Sequence, residues 1–227
     1  MIVYFQYGEK EIDHLKRVDK RLAAVIDRLG MIERPVNPDL FSALVNSIVG
    51  QQISTKAHQT IWERMQKEIG EISPSVIDNL PLDTLQKFGI TFKKAAYIKS
   101  VAQKIITNEF DINSLHSMPD EEVCAKLSGL DGIGVWTAEM LMIFSMQRPN
   151  ILSYGDLAII RGLRMVHHHR KIDKAKFNKY KKRYSPYASV ASLYLWAVAG
   201  GAIDGMKDYA PKKLKNIAAK PPQDLNN

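Results

Sequence analysis

Apolar spacing divides the chain into helices joined by short polar, glycine or proline segments. Ile12, Leu15, Leu22, Val25, Ile26 and Leu29 recur on one helical face, which predicts a helix over 12–29 that Gly30 ends. Ahead of it, Met1–Phe5 fits a short strand or an extended arm; Glu33–Pro38, with two prolines, reads as a linker. Asp39 is an N-cap for a helix over 40–49 with the stripe Leu40, Leu44, Val45 and Ile48, and Gly50 stops it. Ser54 caps a helix over 55–69, where Trp62 and Met65 read as core. The corner between them, Gln51-Gln52-Ile53, is expected to be exposed. Short helical turns over 74–88 precede a longer helix over 92–108, with Ala95, Ile98, Ala102 and Ile105 inward and Lys93, Lys94, Lys99 and Lys104 outward. Pro119 opens a helix to about Leu127, with Asp120, Glu121 and Glu122 in its first turn, where the dipole favours acids. Trp136–Met146 is largely apolar and predicts a deeply buried helix. Pro149–Tyr154 crosses to a helix running from Asp156 to about Val166. Ser185 is expected to cap a helix over 186–199 that is apolar nearly all round and therefore buried, with Gly200 and Gly201 ending it. The tail from Pro211 reads as Lys-rich and frayed.

These elements predict an all-α protein without a sheet, in two helical lobes. One spans residues 39–146; the other joins 1–38 to 147–227; a cleft lies between them.

Composition narrows the partners. The 227 residues carry a net charge of +8, and a pI near 9.4 favours a polyanion. A single cysteine, Cys124, allows no disulfide framework within the chain and reads as a small buried apolar residue. No apolar run approaches a membrane span and no signal-peptide pattern opens the chain, so the expected location is cytoplasmic, with the nucleoid. His167-His168-His169 point in different directions on one turn and make a poor metal site. Residues 170–183 hold eight Lys/Arg and one acid, Asp173, a block that suits a solvated face or a DNA border equally.

The distinctive stretch is Leu127–Asp156. It begins with a tight turn, Gly129-Leu130-Asp131-Gly132-Ile133-Gly134, between two apolar helices. Its three glycines permit positive φ and close approach by a partner. The helix opening at about Val135 presents free N–H groups at a positive dipole end, which suits a phosphate. Such a helix-hairpin-helix grips DNA backbone without reading sequence. The stretch closes on a lone acid, Asp156, twenty positions after Trp136.

LSGLDGIGVWTA over 127–138, the spaced Asp156 and Gly50-Gln51-Gln52-Ile53-Ser54 together resemble the helix-hairpin-helix DNA glycosylase superfamily. In that family LxGxxGIGxxTA precedes, by about twenty residues, an essential aspartate at a helix start. The resemblance covers roughly Asp39–Gly200 and is greatest to the 3-methyladenine glycosylase II branch, without the large N-terminal sheet domain of its best-known bacterial member. It implies a monomer acting on double-stranded DNA that contains a damaged base. Asp156 would be the catalytic carboxylate. Gly129, Gly132, Ile133, Gly134 and Thr137 would lie on the backbone. Gln51, Gln52 and Ser54 would enter the duplex, Gln52 at the wedge position. Trp136, Met140 and Tyr187 would line the base pocket. Backbone carbonyls of Ser128, Leu130 and Ile133 would hold a sodium or potassium ion bridging to phosphate. No other cofactor is implied, since the iron–sulfur cluster of some relatives needs about four cysteines. Asp131 departs from the family's hairpin proline, and an acid there must point away from the phosphate.

The chemistry fits those groups. Glycosidic bonds are hidden in a duplex, so the nucleotide must be everted into a pocket. Bond breaking leaves positive charge at the anomeric carbon, which one fixed carboxylate stabilises while it orients a water. An alkylated purine already carries charge and leaves readily. Strand-cutting members carry a lysine where this chain has Trp136, so simple hydrolysis to an abasic site is expected. An indole there would stack on an electron-poor base. Two rivals use the same frame: an 8-oxoguanine or other damaged-base glycosylase, whose neutral lesion would need more hydrogen bonds in the pocket, and a non-catalytic DNA-binding module, which gives no reason for Asp156.

Overall fold

The computed structural model describes residues 2–211, so the expectation of a frayed tail lies, past Pro211, outside the described residues. The fold is helical, as expected. After the strand β1 (Val3–Tyr4) come helices α1 (Glu9–Val18) and α2 (Lys20–Leu29), then strand β2 (Pro35–Val36). Helices α3 (Leu40–Gly50), α4 (Thr55–Ile69), α5 (Pro74–Asn79), α6 (Leu82–Lys87) and α7 (Phe92–Ile106) follow. A 3-10 turn at Ser114–Ser117 leads to α8 (Asp120–Ser128) and α9 (Val135–Phe144). The chain closes with α10 (Leu157–His167), α11 (Lys174–Tyr184) and α12 (Ala188–Ala199). The caps read from sequence are in place: Asp39 accepts from the Ser42 amide at 3.0 Å and Ser54 from the Ala57 amide at 3.2 Å.

Four expectations are corrected. The apolar N-terminus does form the expected short strand, but against the expectation of no sheet it pairs antiparallel with the proline segment read as a linker, Val3 opposite Val36 and Tyr4 opposite Pro35. The helix predicted over 12–29 is two helices. Asp19 is extended there (φ −146°) and its Oδ1 accepts from the Arg21 and Leu22 amides, both at 3.1 Å. Leu15 and Leu22 are seven residues apart, two helical turns, so their spacing hides the break. Ser185 caps nothing at the start of α12. It ends α11, and its Oγ accepts from Asn150 Nδ2 at 3.1 Å. Helix α9 is only partly buried: Ala138, Leu141, Met142 and Ile143 enter the core, while Val135 and Trp136 stay exposed.

The packing holds the two ends of the chain together. Helices α1 and α2 pack on α10, α11 and α12, and α3 sits against α4, α7 and α9. Helices α10 and α12 form the tightest pair. A Cβ on Gly162 would lie 2.4 Å from the Leu195 carbonyl oxygen, so only glycine lets these backbones meet.

A buried polar cluster joins α2, α10 and α11. Asp19 Oδ2 accepts from Arg183 at 2.9 Å and from the Tyr184 hydroxyl at 3.2 Å, and His167 Nε2 lies 2.9 Å from that hydroxyl. The His167 ring stacks on Tyr180 at 4.2 Å. The adjacent histidines do diverge: His169 Nε2 is 2.7 Å from the Tyr180 hydroxyl and the His168 ring packs on Tyr209. Burial pushes His167 down to about 4, against the pull of Asp19. Burial opposes charge on Asp19 too, but His167, the Leu22 amide and Arg183 outweigh it and hold the carboxyl below its usual range.

Two outcomes follow from this packing. Gly162→Ala should lower stability by more than about 2 kcal/mol through forced separation of α10 and α12, measurable by denaturant unfolding. Between pH 6.5 and about 4 the unfolded chain protonates its histidine while folded His167 stays neutral. Stability is thus full above that window and falls as pH drops through it, by up to about 3 kcal/mol. Calorimetric Tm should show the decline, and His167→Gln should flatten it.

Candidate active site

Asp156 is the N-cap of α10 and only 6% exposed. Its Oδ1 accepts from the amides of Ala158 (2.8 Å) and Ile159 (2.9 Å). Its Oδ2 accepts from two indoles, Trp136 Nε1 at 2.9 Å and Trp196 Nε1 at 3.2 Å. Four N–H donors from α9, α10 and α12 thus converge on one acceptor-only group and fix its plane. The capping and functional readings of Asp156 are compatible here, because one oxygen caps and the other faces the indoles. Around it the surface is apolar and open: Trp136 is 49% exposed and the neighbouring Leu157 84%.

The segment carrying Asp156 is fastened from behind. Ser189 Oγ donates to the Arg148 carbonyl at 2.5 Å and accepts from the Ile151 amide at 2.9 Å. Ser192 Oγ donates to the Ile151 carbonyl at 3.3 Å. Ser153 is fully buried and its hydroxyl donates to Glu139. Trp136 and Glu139 are three apart on α9, so one helix face holds this segment at both Asp156 and Ser153. Burial pushes the Glu139 carboxyl up, with a smaller push from Asp156, while Ser153, Lys181 and Lys174 oppose it. Lys174 Nζ lies 4.5 Å from the Tyr154 ring centre, so the basic block borders this segment. Burial also raises the half-buried Cys124 thiol, which fits its packing role.

The glycine turn is built differently from expectation. Of its glycines, only Gly132 has positive φ (+80°), and a Cβ there would meet the Tyr97 ring at 2.4 Å. Gly129 ends α8, and Gly134 begins α9 with open space around it. Ile133 is buried and its amide donates inward to the Leu130 carbonyl at 3.1 Å, which leaves the amides at the start of α9 as the outward donors. Asp131 does point away: its carboxylate accepts from Ser100 Oγ at 2.9 Å and lies 4.0 Å from Lys104.

Gln51 is a tie: its Nε2 donates to the Gly132 carbonyl at 2.7 Å, and Lys94 Nζ donates to the carbonyls of Val49 (2.8 Å) and Gln51 (2.6 Å). Lys94, expected among the solvated lysines, thereby fastens this corner. Gln52 stands free at φ +55° and exposed. A cavity of about 560 Å³ runs between this corner and α9, lined by Gln51, Gln52, Gly132, Gly134, Trp136, Thr137 and Met140 among others.

The structure therefore gathers Trp136, Thr137, Met140, the glycine turn and the glutamine corner around one cavity, and ties Asp156 to it through the Trp136 indole. It does not bring Tyr187 there. That ring packs edge-on to His14 at 5.2 Å, at the end of α12 opposite Trp196 and nine residues from it, about 13 Å along the axis. Trp196 was missed. The signal was its type: a tryptophan inside an apolar helix needs an acceptor for its N–H.

The pattern matches known proteins. The description "HhH-GPD superfamily base excision DNA repair protein" matches residues 45–186. DNA-3-methyladenine glycosylase 1 of Schizosaccharomyces pombe is 28% identical over 208 residues, 88% of this chain and 91% of the relative. A crystal structure of a DNA-3-methyladenine glycosidase from Bacillus halodurans superposes with a TM-score of 0.78 at 33% identity, covering 88% of this chain and 94% of that one. A Schizosaccharomyces pombe 3-methyladenine DNA glycosylase solved with abasic DNA gives 0.72 at 25% identity, covering 84% and 97%.

Trp196→Phe keeps the ring and removes one donor to Asp156. Single-turnover rates on a substrate duplex should fall about tenfold, with DNA affinity unchanged in a binding titration.

Proposed function

We propose that this chain, which belongs to the HhH-GPD superfamily of base excision DNA repair proteins, is a DNA glycosylase that hydrolyses the N-glycosidic bond of alkylated purines in duplex DNA. The observation that carries the reading is the buried Asp156 carboxylate, fixed by four donors and tied through Trp136 to the cavity beside the glycine turn.

Each group has a role. Amides at the start of α9 and the turn Gly129–Gly134 hold backbone phosphate; the carbonyls of Ser128, Leu130 and Ile133 would hold a monovalent cation that bridges to it. The Leu130 carbonyl already accepts from the Ile133 amide and keeps a second lone pair, so it fits. Gln52, at the free apex of the corner that Gln51 and Lys94 fasten, fills the gap left by the everted nucleotide. Ser54 caps the helix behind it. Trp136 and Met140 border the base. Asp156 stabilises positive charge at the anomeric carbon and orients the attacking water. Position 136 holds no amine, so the product is an abasic site on an intact strand. The enzyme works as a monomer in the cytoplasm, on nucleoid DNA. Its lobes, residues 39–146 and the remainder, receive the duplex in the cleft between them.

Incubation with methylated duplex DNA should release methylated purines. Asp156→Asn should still bind the duplex but release them at least a hundredfold more slowly. Binding without release by both proteins would leave only a DNA-binding module.

A further inference from the structure

Along α9, Trp136, Met140 and Phe144 recur every four residues and share one face. The cavity beside Trp136 and a second one of about 530 Å³ share Ser47 and Met140, so a continuous groove follows this face. At its far end lies Arg34. Its guanidinium carbon sits 5.1 Å from the Phe144 ring centre, and that ring packs at 5.4 Å on Trp196, the indole that donates to Asp156. The backbone of Arg34 is set by the β1–β2 pairing, its carbonyl accepting from the Phe5 amide at 2.9 Å. Among the described residues no carboxylate pairs with this guanidinium. A planar cation with five donors thus stands over an aromatic face at the far end of the groove that begins beside Trp136.

We propose that Arg34 is a specificity residue that extends the range to uncharged modified purines, which need help the cationic alkylated ones do not; this rests on the glycosylase reading above. The bond between the anomeric carbon and the base nitrogen breaks with its electron pair going to the base. Water adds to the carbon and gives up a proton. A cationic N-alkylpurine leaves neutral and gains nothing from a second cation, which also repels it on entry. A neutral purine leaves with a developing negative charge until it takes a proton from solvent. A guanidinium donating to acceptors on its far edge, such as a paired oxygen and ring nitrogen, stabilises that charge only as it forms.

The test uses the full chain with duplexes carrying hypoxanthine, a neutral purine with that acceptor pair, or 7-methylguanine, a cationic one. In Arg34→Met, kcat/KM on hypoxanthine should fall by about tenfold or more while that on 7-methylguanine holds or rises. Arg34→Lys, which keeps the charge and loses the fork, should fall between on hypoxanthine. A parallel fall on both substrates, as loss of a phosphate contact or of the fold would give, overturns the proposal, as does an unchanged ratio. Release of 7-methylguanine without hypoxanthine by the unaltered protein sinks the role of Arg34 alone. Release of neither base sinks the glycosylase reading with it.

Discussion

A carboxylate placed where water is scarce must be held by donors, and at Asp156 they come from three directions. Two are its own helix's first amides, supplied by backbone geometry. The other two are indoles from α9 and α12, sixty residues apart in sequence. The site exists only when the hairpin helix and the apolar C-terminal helix both reach α10. Their approach depends in turn on Gly162, where the α10 and α12 backbones all but touch. Stability and chemistry therefore share a constraint. Whatever separates α10 from α12 also withdraws Trp196 from the carboxylate.

The same logic accounts for the polar residues inside helices that would otherwise be wholly apolar. Ser189 and Ser192 have no exposure, yet each finds a partner in the loop leading to Asp156. Glu139 does this from α9 through Ser153. A buried hydroxyl without a partner costs roughly 1–3 kcal/mol, so each of these bonds specifies one loop position over its alternatives. The polar cluster at Asp19 plays the equivalent part at the other end of α10, where it joins α2 to α11 and breaks what the apolar spacing presents as one helix.

Local chemistry was readable from sequence and distant convergence was not. Asp39 and Ser54 cap the helices they precede because capping involves residues two or three apart. The all-α class and the hairpin follow from spacing and glycine placement in the same way. The split at Asp19 was not legible, since its seven-residue offset preserves the apolar face and only the burial of its partners Tyr184 and His167 reveals it. The two-residue ladder is too short for alternation to register. Beside the cavity, Asp156, Trp136 and Met140 were legible only through the family resemblance that the glycine turn and its spacing to Asp156 carry. Tyr187 and Trp196 lie on one helix at opposite ends, and deciding which reaches Asp156 needs the crossing of α10 and α12.

The exposed apolar collar of the cleft is best understood as half of an interface. Trp136, whose indole donates to the Asp156 carboxylate, and Leu157, the next residue along the chain, are both substantially open to solvent. Singly, exposed apolar side chains need no explanation; clustered around one buried acid they do. Asp156 itself is only 6% exposed, so the open collar wets the space beside the carboxylate and not the carboxylate itself. Under the proposed function, a duplex covering the collar would expel that water, and the carboxylate would act through a medium of lower effective dielectric. The surface left uncovered in the free protein would thus let DNA binding, as proposed, strengthen the carboxylate's electrostatics. The four donors already fix its position in the free protein.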